Sequence, residues 1–571
     1  MSLTARIVVF PLPDAKSTGL PGPSFLDLLA ALAAQPGEVA ALHSAQSDAP
    51  AHPAGNSWTG NHAASGKSVL ACRPVLTIEI TVETDSSGHD VAVPHWITHQ
   101  DLQLDDLHTP PPGTDPVHAW QQMLDQVILL EGQSGPAPSD QPSRHAAIAP
   151  GLPLLGWLGG ISYDLGRWIE QITPTTPTPA PDPSSQPPPK KGWPLLRWTL
   201  FDGYFVLDHA TGLWTLATFE WSTLRQETAD QRLDQLESFL GMVEPGENPH
   251  DPPVKTQAAQ KKGMTVATQR SDTAVGLSPP ASRYHDQVQR VQEYIAAGDI
   301  YQANLAHCWQ PPVTERPEII YRRLCERSPA PYAAFFRFAD KSVICASPEL
   351  FLERHSGGGQ RGHLIPHHPR GVNLGAGRWA RTCPIKGTRP RALNDPQRDA
   401  ALRQELLDSP KDRAELAMIV DLLRNDLGRV CEYGSVQVQQ PRALEEHPTV
   451  WHTVATIEGL LTPEAGWEAI VRAMCPGGSI TGAPKIRAMQ IIEELEGQRR
   501  DWYCGNLGWI GPREAGVLNI AIRTILLEGL DQPTPPTARV WAGAGIVADS
   551  DPQSEYDETL AKAQAMLDSL P

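Results

Sequence analysis

Lys386 stands in the segment Arg381-Thr-Cys-Pro-Ile-Lys-Gly-Thr-Arg-Pro-Arg391, where an amine is a candidate nucleophile. A lysine attacks only after losing its proton, and an ordinary lysine has a pKa of about 10.4. A site working near neutral pH must therefore desolvate the amine or crowd it with other cations. Arg381, Arg389 and Arg391 are close enough in sequence to supply that charge. The alternative is a solvated basic loop.

Three carboxylates form a second candidate group. Glu555 and Glu558, in Ser554-Glu-Tyr-Asp-Glu558, would share one face of a helix. Glu415 belongs to a separate helical stretch. Carboxylates brought together repel, so such a cluster calls for a cation. Mg²⁺ takes few carboxylates, keeps waters and completes its octahedron with substrate oxygens. The alternative is a pair of acidic surface faces matched by Lys562 and Arg413.

Glycine-rich turns offer a third kind of chemistry. Gly477-Gly-Ser-Ile-Thr-Gly-Ala-Pro-Lys485 precedes an expected helix, Ile486 to Glu496. Free N–H groups and the positive end of the helix dipole would suit an anion there. The Gly-Lys-Ser order of a P-loop is missing from it, and Gly66-Lys-Ser68 lacks the upstream glycine. Gly543-Ala-Gly545, expected to follow a strand, is a second candidate cradle. Each is also readable as a tight turn. Gly357-Gly-Gly and Pro366-His-His-Pro369 read as loop punctuation.

These residues must be positioned by the elements around them. Strand-like runs occur at Pro74–Val82, Leu200–Leu207, Leu213–Phe219, Leu507–Ile510 and Val517–Ile525. Helical spacing covers Arg225–Met242, Tyr284–Ala297 before a Gly298 cap, Ala414–Leu427 and Glu555–Leu570. Polar or proline-rich stretches separate them at His43–Lys67, Pro110–Pro116, Gly132–Pro150, Thr173–Lys191 and Glu244–Pro280. Strands with intervening helices predict an α+β fold, with the chemistry in the C-terminal half.

Composition narrows the class. The 571 residues are 40% hydrophobic, enough for a large core. The formal charge of −18 argues against a general affinity for nucleic acid or anionic membrane. Eight scattered cysteines include no Cys-x-x-Cys pair, so neither zinc nor a redox motif is indicated. No apolar run is long enough to span a bilayer or to form a signal peptide. A soluble cytoplasmic protein is expected.

The C-terminal half resembles the chorismate-utilising enzymes. The resemblance rests on Gly298-Asp-Ile-Tyr-Gln-Ala-Asn-Leu305, Ser347-Pro-Glu-Leu-Phe351, Pro384-Ile-Lys-Gly-Thr-Arg389 and Asp421-Leu-Leu-Arg-Asn-Asp-Leu-Gly428. It continues through Cys475–Lys485, Asn519-Ile-Ala-Ile-Arg523 and Ala542-Gly-Ala-Gly-Ile-Val547. Leu154–Gly166 resembles a family segment in the N-terminal half. The implied fold has two layers of antiparallel β-sheet flanked by helices. An N-terminal region (1–250) would wrap the catalytic region (281–571), with a linker at 251–280.

Lysine at Pro-Ile-x-Gly-Thr resembles the aminodeoxychorismate synthase component I branch, whereas anthranilate synthases typically have alanine there. The resemblance implies conversion of chorismate and ammonia to 4-amino-4-deoxychorismate, for 4-aminobenzoate and folate synthesis. Lys386 matches the lysine that adds to C2 as the C4 hydroxyl leaves. Glu349 matches the acid that protonates that hydroxyl, and His452 matches a histidine near the ring. Glu415, Glu555 and Glu558 match Mg²⁺ ligands. Thr388, Tyr503, Arg523, Gly543, Gly545 and Lys562 match positions around the substrate carboxylates.

No glutaminase-type nucleophile motif is present, so ammonia is expected from a separate glutamine amidotransferase subunit. The rival readings are anthranilate synthase, isochorismate or salicylate synthase, and a non-catalytic chorismate-binding regulatory subunit. Two departures from the family pattern stand out. The stretch His355–Ala380 lengthens the gap between Glu349 and Lys386. Phe25-Leu-Asp-Leu-Leu-Ala30 lacks the serine that follows paired leucines at the family's N-terminal tryptophan pocket, although Ser328–Tyr332 fits the other side.

Overall fold

The structure is a computed structural model. It describes residues 3–11, 24–35, 37–43, 67–85, 89–99, 107–130, 156–172, 192–209, 213–221, 228–243, 280–355 and 378–571. The proline-rich stretch 173–191, all of the expected linker 251–280 but its last residue, and the Gly357 and Pro366 loop segments lie outside the described residues.

The strands pair almost entirely antiparallel, as expected. The exception is Leu3–Pro11, which runs parallel to Val127–Leu130 and antiparallel to Leu213–Trp221. The long strand Lys67–Thr84 pairs with Val39–His43, Asp90–Thr98 and Leu196–Asp208. Two pairings join the N-terminal and C-terminal regions into one sheet system. Val39–His43 lies beside Tyr332–Phe338, and Trp157–Ile161 lies beside Asn506–Ile510.

Alternation along these strands feeds a different core on each face. In Lys67–Thr84, Val69 and Ala71 join the central core while Leu70 and Cys72 join a second cluster. Tyr332–Phe338 behaves likewise, with Ala334 and Phe336 on one side and Ala333 and Phe335 on the other. A stretch buried on both faces must be apolar, as Ala333-Ala-Phe-Phe336 is, and Arg337 stands where burial eases. Helices close the second cluster: Phe25–Ala33 through Leu28 and Leu29, and Pro317–Arg327 through Ile320 and Leu324. Phe25–Ala30 is therefore packing material at a helix start, with Ser24 accepting the Asp27 N–H as its cap.

Two helices matter most for chemistry. Pro410–Gly428 starts at Ser409, whose side chain accepts from the Asp412 N–H, and it buries Leu416, Ile419, Val420 and Leu423. Pro552–Leu567 starts at Asp551, which accepts from the Ser554 N–H. Both begin with proline at the first helical position, where the missing donor costs nothing.

One expected strand is broken. Val517–Ile525 is two strands, Gly516–Asn519 and Thr524–Glu528, because the chain changes partners between them. The first pairs with Leu350–His355 and the second with Lys341–Ser347. The corner closes through the Ile522 N–H, which donates to the Ile520 carbonyl, and places Arg523 at a φ of +50°. A non-glycine residue held there marks a tertiary constraint that local propensity does not reveal.

Candidate active site

Glu349 immediately precedes the strand Leu350–His355 and Lys386 lies on Ile385–Pro390; the long insertion separates them in sequence, yet one residue bridges them. Leu350–His355 and Trp379–Cys383 are antiparallel neighbours, and Ile385–Pro390 continues the chain beyond them along Val450–Leu460. The turn after Cys475 inserts Ser479 between the two side chains. The Ser479 hydroxyl donates to Glu349 Oε1 at 2.7 Å, and the Ser479 carbonyl accepts from Lys386 Nζ at 3.3 Å. Glu349 is buried, and burial raises its pKa to about 7 against the opposing pull of Ser479, Lys386 and Lys562. A carboxyl of that kind holds a proton near neutrality, which is what a general acid requires.

The three arginines expected to crowd Lys386 do not. Arg381 is buried between Glu458 and Glu353, Arg389 pairs with Glu405 and Asp412, and Arg391 pairs with Asp399 and Glu446. Each guanidinium is neutralised by its own carboxylates. The Lys386 charge instead bears on carboxyls, lowering the pKa of Glu349, Glu415 and Glu558 against burial. The expectation of a cationic surround is corrected: backbone strand geometry points those arginines at acidic partners beside and behind the strand.

His452 sits on the neighbouring strand, in register with Thr388. Its Nδ1 and the Thr388 hydroxyl are 2.9 Å apart. Its Nε2 is buried without a hydrogen-bond partner among the described residues. Burial, then the His447 and Arg523 charges, push its pKa well below the ordinary histidine value, so the ring is neutral. A buried neutral imidazole with one open nitrogen needs a partner that the protein does not provide. Thr388, expected near a substrate carboxylate, is thereby tied to His452.

Arg523 is half-buried at the strand corner, and its Nη1 donates to the Ser328 hydroxyl at 2.8 Å. Among the described residues no carboxylate pairs with it, and burial lowers its pKa. A partly desolvated guanidinium without a counter-ion suits an anionic ligand. Tyr503 is buried and stacked on Trp541, with ring centroids 5.6 Å apart.

Gly543 and Gly545 lie inside the strand Thr537–Ile546, opposite Ala306 and Asn304, so the expected turn-like cradle is absent. Their smallness has a different use. A Cβ on Gly545 would come within 2.4 Å of Gln302 Nε2 and 3.7 Å of Lys386 Nζ. The carbonyl of Gly543 accepts from Lys562 Nζ at 3.0 Å. Beside this strand, Gln302 Oε1 and Asn304 Oδ1 are buried without partners among the described residues.

The glycine-rich turn is ordered by its own ties. Gly478–Ile480 is a 3₁₀ turn, Gly482–Ala483 pairs with Gln302–Ala303, and the helix Lys485–Glu496 follows. Gly482 has a φ of +146°, and a Cβ there would meet the Gln302 carbonyl at 2.2 Å. Lys485 Nζ donates to Asp426 Oδ2 at 2.7 Å, a buried ion pair that ties the turn to the helix Pro410–Gly428. Arg500, fully buried, donates to the carbonyls of Ile480 and Asn304 and to Glu496.

The three glutamates of the expected metal set face one another from two helices. Lys411 Nζ lies 3.3 Å from Glu555 and 4.0 Å from Glu415, and Lys562 Nζ lies 2.7 Å from Glu558. Among the described residues no three acidic, histidine or cysteine side chains close on a single metal-sized point. The donor chemistry nonetheless fits a hard divalent cation: carboxylates only, with burial and then the Asp412 and Glu558 charges raising the Glu415 pKa.

Residue motifs quoted from the sequence contained Ser479, Gln302 and Asn304 but suggested no role for them. Lys411, in the first turn of its helix, carried no sequence signal at all.

Residues 99–365 and 370–568 match the family described as chorismate binding enzyme. The chain is 35% identical to aminodeoxychorismate synthase component 1 of Bacillus subtilis, over 73% of this chain and 77% of that protein. It is 34% identical to an anthranilate synthase component 1 of Haloarcula marismortui, over 73% and 76%. The solved anthranilate synthase component I of Streptococcus pneumoniae superposes with a TM-score of 0.58 at 26% identity, covering 88% of this chain and 92% of that one. The isochorismate synthase MenF of Escherichia coli shares the fold at 16% identity, with a TM-score of 0.58, covering 100% of this chain and 95% of that one. No helix among the described residues is long and apolar enough to cross a membrane.

Proposed function

The chain belongs to the chorismate-binding enzyme family, and within it we propose that this protein aminates chorismate at C4, yielding 4-amino-4-deoxychorismate. The observation that carries the reading is Lys386, held through Ser479 beside the protonatable Glu349. In this reading the neutral Lys386 amine forms a bond to C2 of chorismate and the ring double bonds shift. The C4–O bond breaks, and Glu349 gives its proton to the departing hydroxyl, which leaves as water. Ammonia then bonds to C4, the double bonds shift back, and the bond between Lys386 and C2 breaks. The lysine blocks C2 from direct attack by ammonia, so nitrogen stays at C4.

Arg523, with its free guanidinium edge, is the carboxylate anchor, and His452 Nε2 is the ring-side hydrogen-bonding group. Glu415, Glu555 and Glu558 would hold Mg²⁺, whose charge offsets that of a substrate carboxylate. Ammonia comes from a separate glutamine amidotransferase subunit, and 4-aminobenzoate and folate synthesis is the destination. A soluble cytoplasmic setting belongs to the same reading.

A second reading has one observation in its favour, the 34% identity to an anthranilate synthase component 1. The deciding experiment mixes the purified chain with chorismate, Mg²⁺ and ammonium, beside Lys386→Ala, with product analysis and protein mass spectrometry. The expected result is 4-amino-4-deoxychorismate, with a covalent adduct on wild type that the variant lacks. Anthranilate or isochorismate as product would overturn the assignment, and binding without turnover would favour a regulatory subunit.

A further inference from the structure

Lys411 reaches into the acidic cluster from the first turn of its helix. It pairs with Glu555 at 3.3 Å, lies 4.0 Å from Glu415 one helical turn on, and feels the charge of Glu558 as well. All three carboxylates therefore act on one ammonium. The carboxylates it touches are fixed. Glu555 is 4% exposed and also accepts from the Ser550 hydroxyl at 2.7 Å, and Glu415 is 14% exposed. Lys411 itself is 47% exposed, on a flexible stem at the helix surface. The fixed partners and the mobile cation have opposite consequences. Glu555 and Glu415 are held by burial, whereas the half-exposed ammonium can swing to solvent at little cost.

We infer that Lys411 is a built-in competitor for the divalent cation, partly neutralising the three-carboxylate cluster until a metal displaces it. This rests on the reading of Glu415, Glu555 and Glu558 as metal ligands. Like-charged carboxylates brought to one side by two helices would otherwise destabilise the metal-free protein. The same ammonium must then lower metal affinity, because each binding event breaks its ion pairs. Lys562 does the corresponding job for Glu558, but it is also tied to the Gly543 carbonyl at 3.0 Å and so is less free to leave.

The test is calorimetric titration of Mg²⁺ into the full chain without chorismate, for wild type, Lys411→Met and Lys411→Arg. Lys411→Met keeps the apolar stem and removes the charge, and is expected to lower the Mg²⁺ Kd at least threefold. It should also lower the melting temperature of the metal-free protein and restore it when Mg²⁺ is added. Lys411→Arg, which keeps a cation, should stay near the wild-type Kd. An unchanged or weaker Kd in Lys411→Met, with wild type still binding Mg²⁺, would overturn the inference alone. If neither wild type nor Lys411→Met binds Mg²⁺, the metal-ligand reading fails with it.

Discussion

Glu349 and Lys386 are joined through opposite ends of one residue: the Ser479 hydroxyl holds the carboxyl at 2.7 Å and the Ser479 carbonyl holds the amine at 3.3 Å. The acid and the nucleophile thus share a single ruler. Any shift of the turn Gly477–Pro484 moves both groups together, and Lys485–Asp426 and Arg500 are what keep that turn still.

The buried Glu349 predicts a pH signature in stability. Its pKa is about 7 in the native state against 4.5 for an ordinary glutamate. Between those values the native protein holds a proton that the unfolded chain has released, so stability falls as pH rises through the window. The total is about 3 kcal/mol. Glu349→Gln should flatten this dependence and raise stability at pH 8 by about 1–3 kcal/mol. It should also cut kcat by roughly 100-fold or more, through loss of the acid. Chemical denaturation at several pH values, beside turnover assays, checks both arms.

Ser479→Ala removes one of the groups that lower the Glu349 pKa and leaves the backbone carbonyl on Lys386 in place. The alkaline limb of the kcat profile should therefore move to higher pH. Loss of a hydrogen bond to a buried, ionisable group should cost about 1–3 kcal/mol in transition-state positioning. A profile of unchanged shape, merely scaled down, would contradict a role for Ser479 in tuning Glu349.

Arg523→Met removes a guanidinium that no carboxylate among the described residues neutralises. Its loss should leave thermal stability unchanged or slightly raised, because a half-buried charge without a counter-ion disappears. The KM for chorismate should rise by about 10–100-fold, corresponding to one charge-assisted pair. Arg523→Lys, which lacks the planar fork, should recover only part of the affinity. Equilibrium binding of chorismate to all three proteins measures this directly.

Gly545→Ala places a methyl 2.4 Å from Gln302 Nε2 and 3.7 Å from Lys386 Nζ. The strand backbone accepts alanine, so folding should survive with a loss of about 1–3 kcal/mol from crowding. Turnover should fall at least tenfold because Gln302 must move into the space beside the nucleophile. Circular dichroism melts and steady-state kinetics separate the two effects.

Much of this protein was readable before any coordinates. Helix Pro410–Gly428 announces itself by the stripe Leu416, Ile419, Val420 and Leu423, and the strand Leu196–Asp208 by its β-branched and aromatic run. Lys386 and the three glutamates stood out as candidate groups by side-chain type and spacing, whereas Glu349 entered only through the resemblance to the chorismate-utilising enzymes. These are local properties, carried by periodicity and by side-chain chemistry within a few residues. Relations between distant residues were not legible. Arg381, Arg389 and Arg391 looked like a cationic surround for Lys386, but tertiary packing turned Arg381 to Glu458 on the neighbouring strand and Arg389 and Arg391 to carboxylates such as Glu405 and Glu446. The run Val517–Ile525 looked like one strand, but a change of pairing partners bent it and aimed Arg523 inward. Ser479 joined acid to nucleophile, and Lys411 joined two helices' carboxylates, only because non-local pairing and packing brought those segments within hydrogen-bonding distance. Sequence determined which groups could do chemistry, since that depends on functional groups and local conformational preference. Tertiary structure decided which charges each group faces, since electrostatics acts through space and the chain's register sets the distances.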